Sequence, residues 1–213
     1  MTDPAPRVSP GRPKDLEKRA AILDAAKALF LARGYEGTAM DAVAQAAGVS
    51  KLTVYSHFQD KETLFVEAVK ASCEDLLPAD LFDVHFQGPI RQQLLRIGHA
   101  LFRLVTSDEA IAVHRIMGQP MPEGAALPQL FWDAGPRRIQ EAFAGFLRAE
   151  AEAGELVVPD CELAAQQFFA LLKGECHARL LCGCPATLAG DALDRHLAAT
   201  VDMFLRAYGP VRA

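Results

Sequence analysis

The sequence lacks any apolar run approaching the ~20 residues that a membrane-spanning helix needs. Its start is charged and proline-rich, without the apolar segment expected of a secretory leader. Five cysteines in 213 residues stand without regular spacing. That argues against a disulfide framework and fits a reducing cytoplasm. There is no Gly-rich phosphate loop, no Gly-x-Ser-x-Gly elbow and no His-Glu-x-x-His helix. The chain is therefore not expected to be an enzyme, and no cofactor is expected. No stretch alternates like a strand for more than four residues, and no internal repeat is visible. Excess positive charge is missing too: the formal net charge is −5, which excludes a broad basic coat for nucleic acid.

What is present is hydrophobic material at helical spacing. Half of the residues, 51%, are hydrophobic, enough for the packed core of one large domain or two small ones. Charge is unevenly spread. Residues 1–62 carry nine Lys/Arg against eight Asp/Glu, hence +1, and the remainder carries thirteen against nineteen, hence −6. Any surface for DNA must be local, a small head on an acidic body.

The head is the most informative stretch. Residues 15–33 predict a helix with Ile22, Leu23, Ala26, Leu29 and Phe30 on one stripe. Arg33-Gly34 stops it with a cation and a left-handed cap. Thr38 is expected to cap a second helix, with Asp41 three residues later as a short-armed capping box. Val43, Ala44 and Ala47 face inward. Gly48 makes a tight turn, where a side chain would obstruct the left-handed conformation or the close helix approach. Val49 fills the space between the helices, and Ser50 caps a third helix running to about His57. At about seven residues that helix is too short to stand alone, so its neighbours must hold it. Lys51, Leu52, Thr53, Tyr55 and His57 should point outward, and Val54 and Phe58 inward. Asp60 should cap a fourth helix. Lys61 then sits in its first turn, where a cation opposes the dipole and a phosphate partner would offset it. Two short helices and a turn before a recognition helix are how a helix-turn-helix enters a DNA major groove.

Gly37-Thr38, Val43-Ala44, Ala47-Gly48-Val49-Ser50, Thr53, Tyr55, His57-Phe58, Lys61-Glu62 and Leu64-Phe65 resemble the N-terminal signature of TetR/AcrR-type transcriptional regulators. The resemblance covers roughly residues 15–66. It implies that Thr38, Ser50, Tyr55, His57 and Lys61 contact phosphates while Lys51, Leu52 and Thr53 face base edges. The chemistry agrees: lysines and hydroxyls reach phosphate oxygens, and Leu52 or the Thr53 methyl can meet a thymine methyl. Leu52 departs from the small or polar residue common there, which leaves the base preference open. Ahead of the head, residues 1–14 hold four prolines with Arg7, Arg12 and Lys14. They read as a flexible basic arm that either enters a neighbouring minor groove or is an unstructured tail.

The second part reads as helices at about 60–77, 89–107, 108–119, 127–153, 160–182 and 189–208, with Pro136 able to divide one of them. Val113-His114-Arg115-Ile116, the run from Leu130 to Pro136 and Gly154-Glu155-Leu156 resemble the C-terminal module of AefR-like members. That likeness implies a small-molecule pocket, for which the candidates are His99, Phe102, His114, Met117, Trp132, Phe143, Phe146 and Leu147; plain core is the competing reading. The helix at 160–182 is apolar nearly all round and must be covered on more than one side. Phe168, Leu171 and Leu172 on it, with Leu193, Leu197, Val201, Phe204 and Tyr208 on the last helix, either build a four-helix bundle with a second copy or are covered by their own fold. The bundle is the usual dimer interface in TetR-type proteins.

Cys176, His177, Cys182 and Cys184 fall within nine residues, a donor set that soft metals favour. The spacing is poor for a structural zinc site. Cys176 and Cys182 are six residues apart and so on different helix faces. Buried small residues are the preferred reading, with a metal or thiol sensor as the alternative.

The expectation is therefore an all-α chain of about nine helices in three parts. These are an arm at 1–14, a helix-turn-helix domain at 15–62 and a helical ligand-binding and dimerisation domain at 63–213. The resemblance implies a cytoplasmic homodimeric repressor of a palindromic operator, released by a small hydrophobic effector. Its partners would be double-stranded DNA, a second copy and that effector, with no membrane. A helical adaptor that does not bind an operator is the rival from a different class.

Overall fold

The computed structural model describes residues 11–82, 88–120, 125–185 and 188–210, with side chains from residue 15 onward. Ten α-helices and no strand occur among the described residues. They are α1 (Gly11–Arg33), α2 (Met40–Ala46), α3 (Lys51–His57), α4 (Lys61–Leu76), α5 (Ile90–Val105), α6 (Asp108–Met117), α7 (Leu127–Ala134), α8 (Pro136–Glu152), α9 (Cys161–Leu181) and α10 (Gly190–Tyr208). None of them is long and apolar enough to cross a membrane. The chain divides into two compact units, the first ending at Ala68 and the second beginning at Val69. The division falls inside α4, further along than the expected boundary after residue 62.

In the first unit α1 begins at Gly11, four residues before the expected start, so Gly11 to Lys14 are helical backbone. Residues 1–10 lie outside the described residues. Ile22, Leu23, Ala26 and Phe30 of α1 are buried with Val43, Ala44, Val54, Phe58, Leu64 and Phe65. Each of the larger side chains among them contributes about 1.5–3 kcal/mol by leaving water. The Phe30 and Phe65 rings meet edge to face at 5.2 Å. Gly34 ends α1 at φ 71°, and its N–H donates to the Phe30 carbonyl. Gly48 turns α2 into α3 at φ 65°. A Cβ at Gly48 would meet nothing within 4 Å, so its left-handed backbone, not crowding, selects glycine.

In the second unit the core joins α5, α8, α9 and α10, with Phe143, Phe168, Leu94, Leu101, Leu147, Leu172, Leu197 and Val201 sealed from water. The tenth helix, against about nine expected, arises at Gly135-Pro136. Proline at the first position of α8 has no N–H to continue α7, and Gly135 leaves the helical region at φ −124°, ψ −80°. A Cβ at Gly135 would lie 3.2 Å from Val69 Cγ1 and 3.5 Å from Cys73 Sγ, so the junction of α7 and α8 approaches α4 closely.

α9 is broken inside, at Gly174 (φ 48°, ψ −153°). The break disturbs the regular carbonyl pairing of the preceding turn. His196 of α10 supplies a partner, its Nε2–H donating to the Leu172 carbonyl at 2.9 Å. His196 thereby ties α10 to α9 at the break.

The expected dimer face needs correction. Phe168, Leu172, Leu197 and Val201 are 0% exposed, and Phe204 is 2% exposed, within a single chain. They are core of the single chain, which is the competing reading for these five. Leu171, Leu193 and Tyr208 are only partly covered. The exposed face of α9 carries Leu163, Gln166, Gln167, Ala170, Gly174 and Ala178, and that of α10 carries Arg195, Ala199, Met203 and Arg206. The three-to-four-residue spacing puts the α10 set, and the α9 residues up to Ala170, each on one side of its helix, while Gly174 and Ala178 lie at and beyond the break.

Candidate nucleic-acid interface

α3 is held from behind and open in front. Ser50 caps it, its hydroxyl oxygen accepting from the Thr53 N–H at 3.1 Å, with the two hydroxyls 2.8 Å apart. Val54 is 0% and Phe58 1% exposed. Arg19 of α1 lies 5.2 Å over the Phe58 ring and pairs with Glu67 of α4, so two longer helices grip the end of the short one. This local bracing offsets the cost of nucleating a seven-residue helix.

On the open side Leu52 is 79% and Tyr55 40% exposed. A leucine that exposed contributes little to the core. Ser50 and Lys51 are exposed and Thr53 is half-buried. Lys51 is not idle. Its Nζ lies 2.8 Å from Asp41 Oδ1 of α2, and that hydrogen-bonded partner raises its proton affinity above the ordinary lysine value. Its ammonium also sits 5.9 Å from the Tyr55 ring. Asp41 therefore pairs across the turn and does not complete a capping box: α2 starts after Ala39, with no side-chain cap.

Two expected phosphate contacts are corrected. Thr38 is 1% exposed. Its hydroxyl donates to the Gly34 carbonyl at 2.8 Å and lies 3.1 Å from the Leu29 carbonyl. It turns inward and ties the end of α1, and neither caps α2 nor faces the surface. His57 points to Asp15, Nε2 to Oδ1 at 3.2 Å, with its side chain 12% exposed. The ring packs along α1 and not outward.

Asp60 caps α4, accepting from the Thr63 N–H at 2.7 Å, a bond that holds its carboxyl below the ordinary aspartate range. The Lys61 ammonium lies 4.2 Å from the Tyr35 ring centroid. That placement holds the cation over the ring face. Burial and the nearby Glu62, Glu36 and Asp60 push the Tyr35 hydroxyl up to about 12. The tyrosine is thus neutral at any physiological pH. Of the eight expected DNA residues the structure leaves Ser50, Lys51, Leu52, Thr53, Tyr55 and Lys61 on or near the surface. Tyr35, which lies beside Lys61, was not singled out from the sequence, and Asp41 reads there as a capping residue and not as the partner of Lys51. Neither pairing has a short-range sequence signal.

The eight expected pocket residues do not share one environment. Phe102, Phe143, Phe146 and Leu147 belong to the core, and the Phe143 ring packs 4.9 Å from Phe168 and 6.0 Å from Phe146. His99 is exposed, 3.5 Å from Asp194. Trp132 is 43% exposed. His114 lies against Phe131 at 5.5 Å and His177 at 5.4 Å, and Met117 is half-buried on the same helix. Within the Cys/His cluster Cys176 and His177 are buried while Cys182 and Cys184 are exposed. Those four do not converge, and no three metal-ligating side chains gather among the described residues.

Comparison with known proteins fits this geometry. Residues 22–68 match the family described as bacterial regulatory proteins, tetR family, and residues 92–210 match the AefR-like transcriptional repressor, C-terminal domain. The HTH-type transcriptional regulator YdeS of Bacillus subtilis (strain 168) is 30% identical over 147 residues, 68% of this chain and 71% of that one. A crystal structure of a TetR-family regulator from Mesorhizobium loti superposes with a TM-score of 0.77 at 28% identity, covering 92% of this chain and 99% of that one. The flavonoid-responsive regulator FrrA superposes with a TM-score of 0.72 at 31% identity, covering 92% and 98%.

Proposed function

The chain belongs to the tetR family of bacterial regulatory proteins, and from that premise we propose that it is a cytoplasmic homodimeric repressor of a palindromic operator, released by a small hydrophobic effector. The observation that carries the reading is the two-sidedness of α3: Val54 sealed behind, Lys51, Leu52 and Tyr55 open in front. Ser50, Tyr55 and Lys61 meet phosphates, and Lys51, Leu52 and Thr53 face base edges. In a dimer two such helices lie in successive major grooves, about 34–36 Å apart.

The pairing surface follows from the corrected burial. Leu163, Gln167 and Ala170 of α9, with Ala199 and Met203 of α10, form the contact between copies. Leu163 and Met203, at 47% and 51% exposure, gain most from being covered. Repression, as against activation, is supported by the description of the family matched over residues 92–210. A small-molecule effector is supported by the similarity to a flavonoid-responsive regulator. The effector acts by different affinity for two conformers. α4, which runs from the first unit into the second, is the segment that connects its site to the head.

Footprinting on DNA upstream of the protein's own gene tests this reading. A protected palindrome that Tyr55→Ala abolishes, with the dimer intact, is the expected result. Absence of any protected sequence at low salt defeats it and leaves a helical adaptor.

A further inference from the structure

A basic cluster in the second unit is left over once core and dimer face are assigned. His177, on α9 beyond the break, is 7% exposed, and its Nε2 is buried without a hydrogen-bond partner among the described residues. The His114 ring of α6 meets it edge to face at 5.4 Å, and Phe131 of α7 closes on His114 from another side at 5.5 Å. His114 Nδ1 lies 2.7 Å from the Ala110 carbonyl. An N–H must therefore stand at Nδ1, which leaves Nε2 with a bare lone pair. Lys173, just before the Gly174 break, is half-buried, and its charge acts on both rings. No hydrogen bond or ion pair holds its ammonium among the described residues. No carboxylate among the described residues is one of the charges acting on any of the three.

Such an arrangement is costly as it stands. A half-desolvated ammonium lacks a counter-charge, and a buried ring nitrogen lacks a partner. Burial pushes all three groups toward their neutral forms, His177 to about 4, with repulsion from Lys173 adding to it at both rings. Core packing would be served better by apolar residues at these positions. Groups desolvated in this way beside an unpaired charge are candidates for a ligand site.

We propose that Lys173 and His177, with His114 packed beside them, form the acid-binding end of the effector site, and that the effector is a small organic monocarboxylate. Its carboxylate accepts from the Lys173 ammonium and from His177 Nε2–H, and its apolar body lies along Phe131. With both rings neutral the cluster offers a single positive charge, so a monoanion balances it and a phosphate dianion does not. A metal cation is repelled by the ammonium and finds no carboxylate. A neutral ligand leaves Lys173 unpaired. The assignment rests on the reading of this unit as effector-binding.

The test uses the full chain at pH 7.5, following histidine ring resonances by NMR during titration with acetate, octanoate and 3-phenylpropionate, beside methyl 3-phenylpropionate. The two larger acids should shift the His114 and His177 signals and bind at least tenfold more tightly than the ester. Lys173→Met should abolish that preference and raise the melting temperature of the unliganded protein, while Lys173→Arg keeps the preference. Rings unmoved by every acid, an ester that binds equally well, or full acid binding by Lys173→Met overturns the proposal. Operator protection by ligand-free protein is measured alongside. Its loss defeats the repressor reading without touching the acid site, and its presence with silent rings removes the acid site alone.

Discussion

Lys51 Nζ lies 2.8 Å from Asp41 Oδ1, so the first cation of α3 is already paired before any DNA arrives. An exposed pair of this kind contributes little to stability, yet it withholds a charge from a phosphate or a base edge. Asp41→Asn should therefore strengthen DNA binding and steepen its dependence on log salt by about 0.9. Fluorescence anisotropy across a KCl series checks this. The same change in a Lys51→Ala background should do nothing, and an equal effect there would show that Asp41 acts by another route.

Leu52 is the one large apolar group at the front of α3, at 79% exposure. If it covers a thymine methyl, replacing that thymine by uracil should weaken wild-type binding roughly fourfold, the value of about one buried methyl or methylene group, ~0.8 kcal/mol. Leu52→Ala should be insensitive to the same replacement. A double-mutant cycle between protein and operator reads the coupling directly.

Met203 and Phe204 are neighbours in sequence with opposite fates, 51% and 2% exposed. Met203→Arg should leave the fold intact and shift the dimer toward monomer in sedimentation velocity. Phe204→Ala should cost about 3–5 kcal/mol of stability in urea unfolding, because it empties part of the core.

The stability of the second unit should fall in mild acid. The His177 proton affinity is pushed down to about 4 by burial and by Lys173 and His114, and burial lowers His114 too. The unfolded chain binds these protons first, near pH 6.5. Stability is complete above that pH and is lost as the pH falls toward 4. One group supplies a slope of at most about 1.4 kcal/mol per pH unit, less where water reaches the ring. His177→Phe should flatten the profile of thermal midpoint against pH between 6.5 and 4.

The head was legible because its signals are short-range. Ser50, Gly48 and Asp60 act on backbone within a few residues, and Val54 and Phe58 follow helical spacing, so all five stand as read. Thr38 was misread for an equally local reason. A threonine ahead of a helix can bond forward to a free N–H or back to a finished helix, and only the path of 34–38 decides between them. The apolar surfaces of α9 and α10 were correctly seen as needing cover, but pattern does not say whose chain supplies it. Phe168 and Val201 found their cover in α5 and α8 of the same protomer. His114 and His177 meet across 63 positions of sequence, where no periodicity reaches. Each had been placed in a different group, one with aromatics and one with cysteines.

Gly174 holds φ 48°, ψ −153°, and a Cβ there would stand 3.2 Å from His196 Cε1. Every codon change that alters this residue installs a Cβ, which meets both the unfavourable dihedrals and the imidazole whose N–H serves the Leu172 carbonyl. Moving the imidazole aside would strand that carbonyl, so no single change is silent. Position 174 is closed to neutral drift. Descendants of this chain should inherit glycine there together with histidine at 196, or lose both in company with the break.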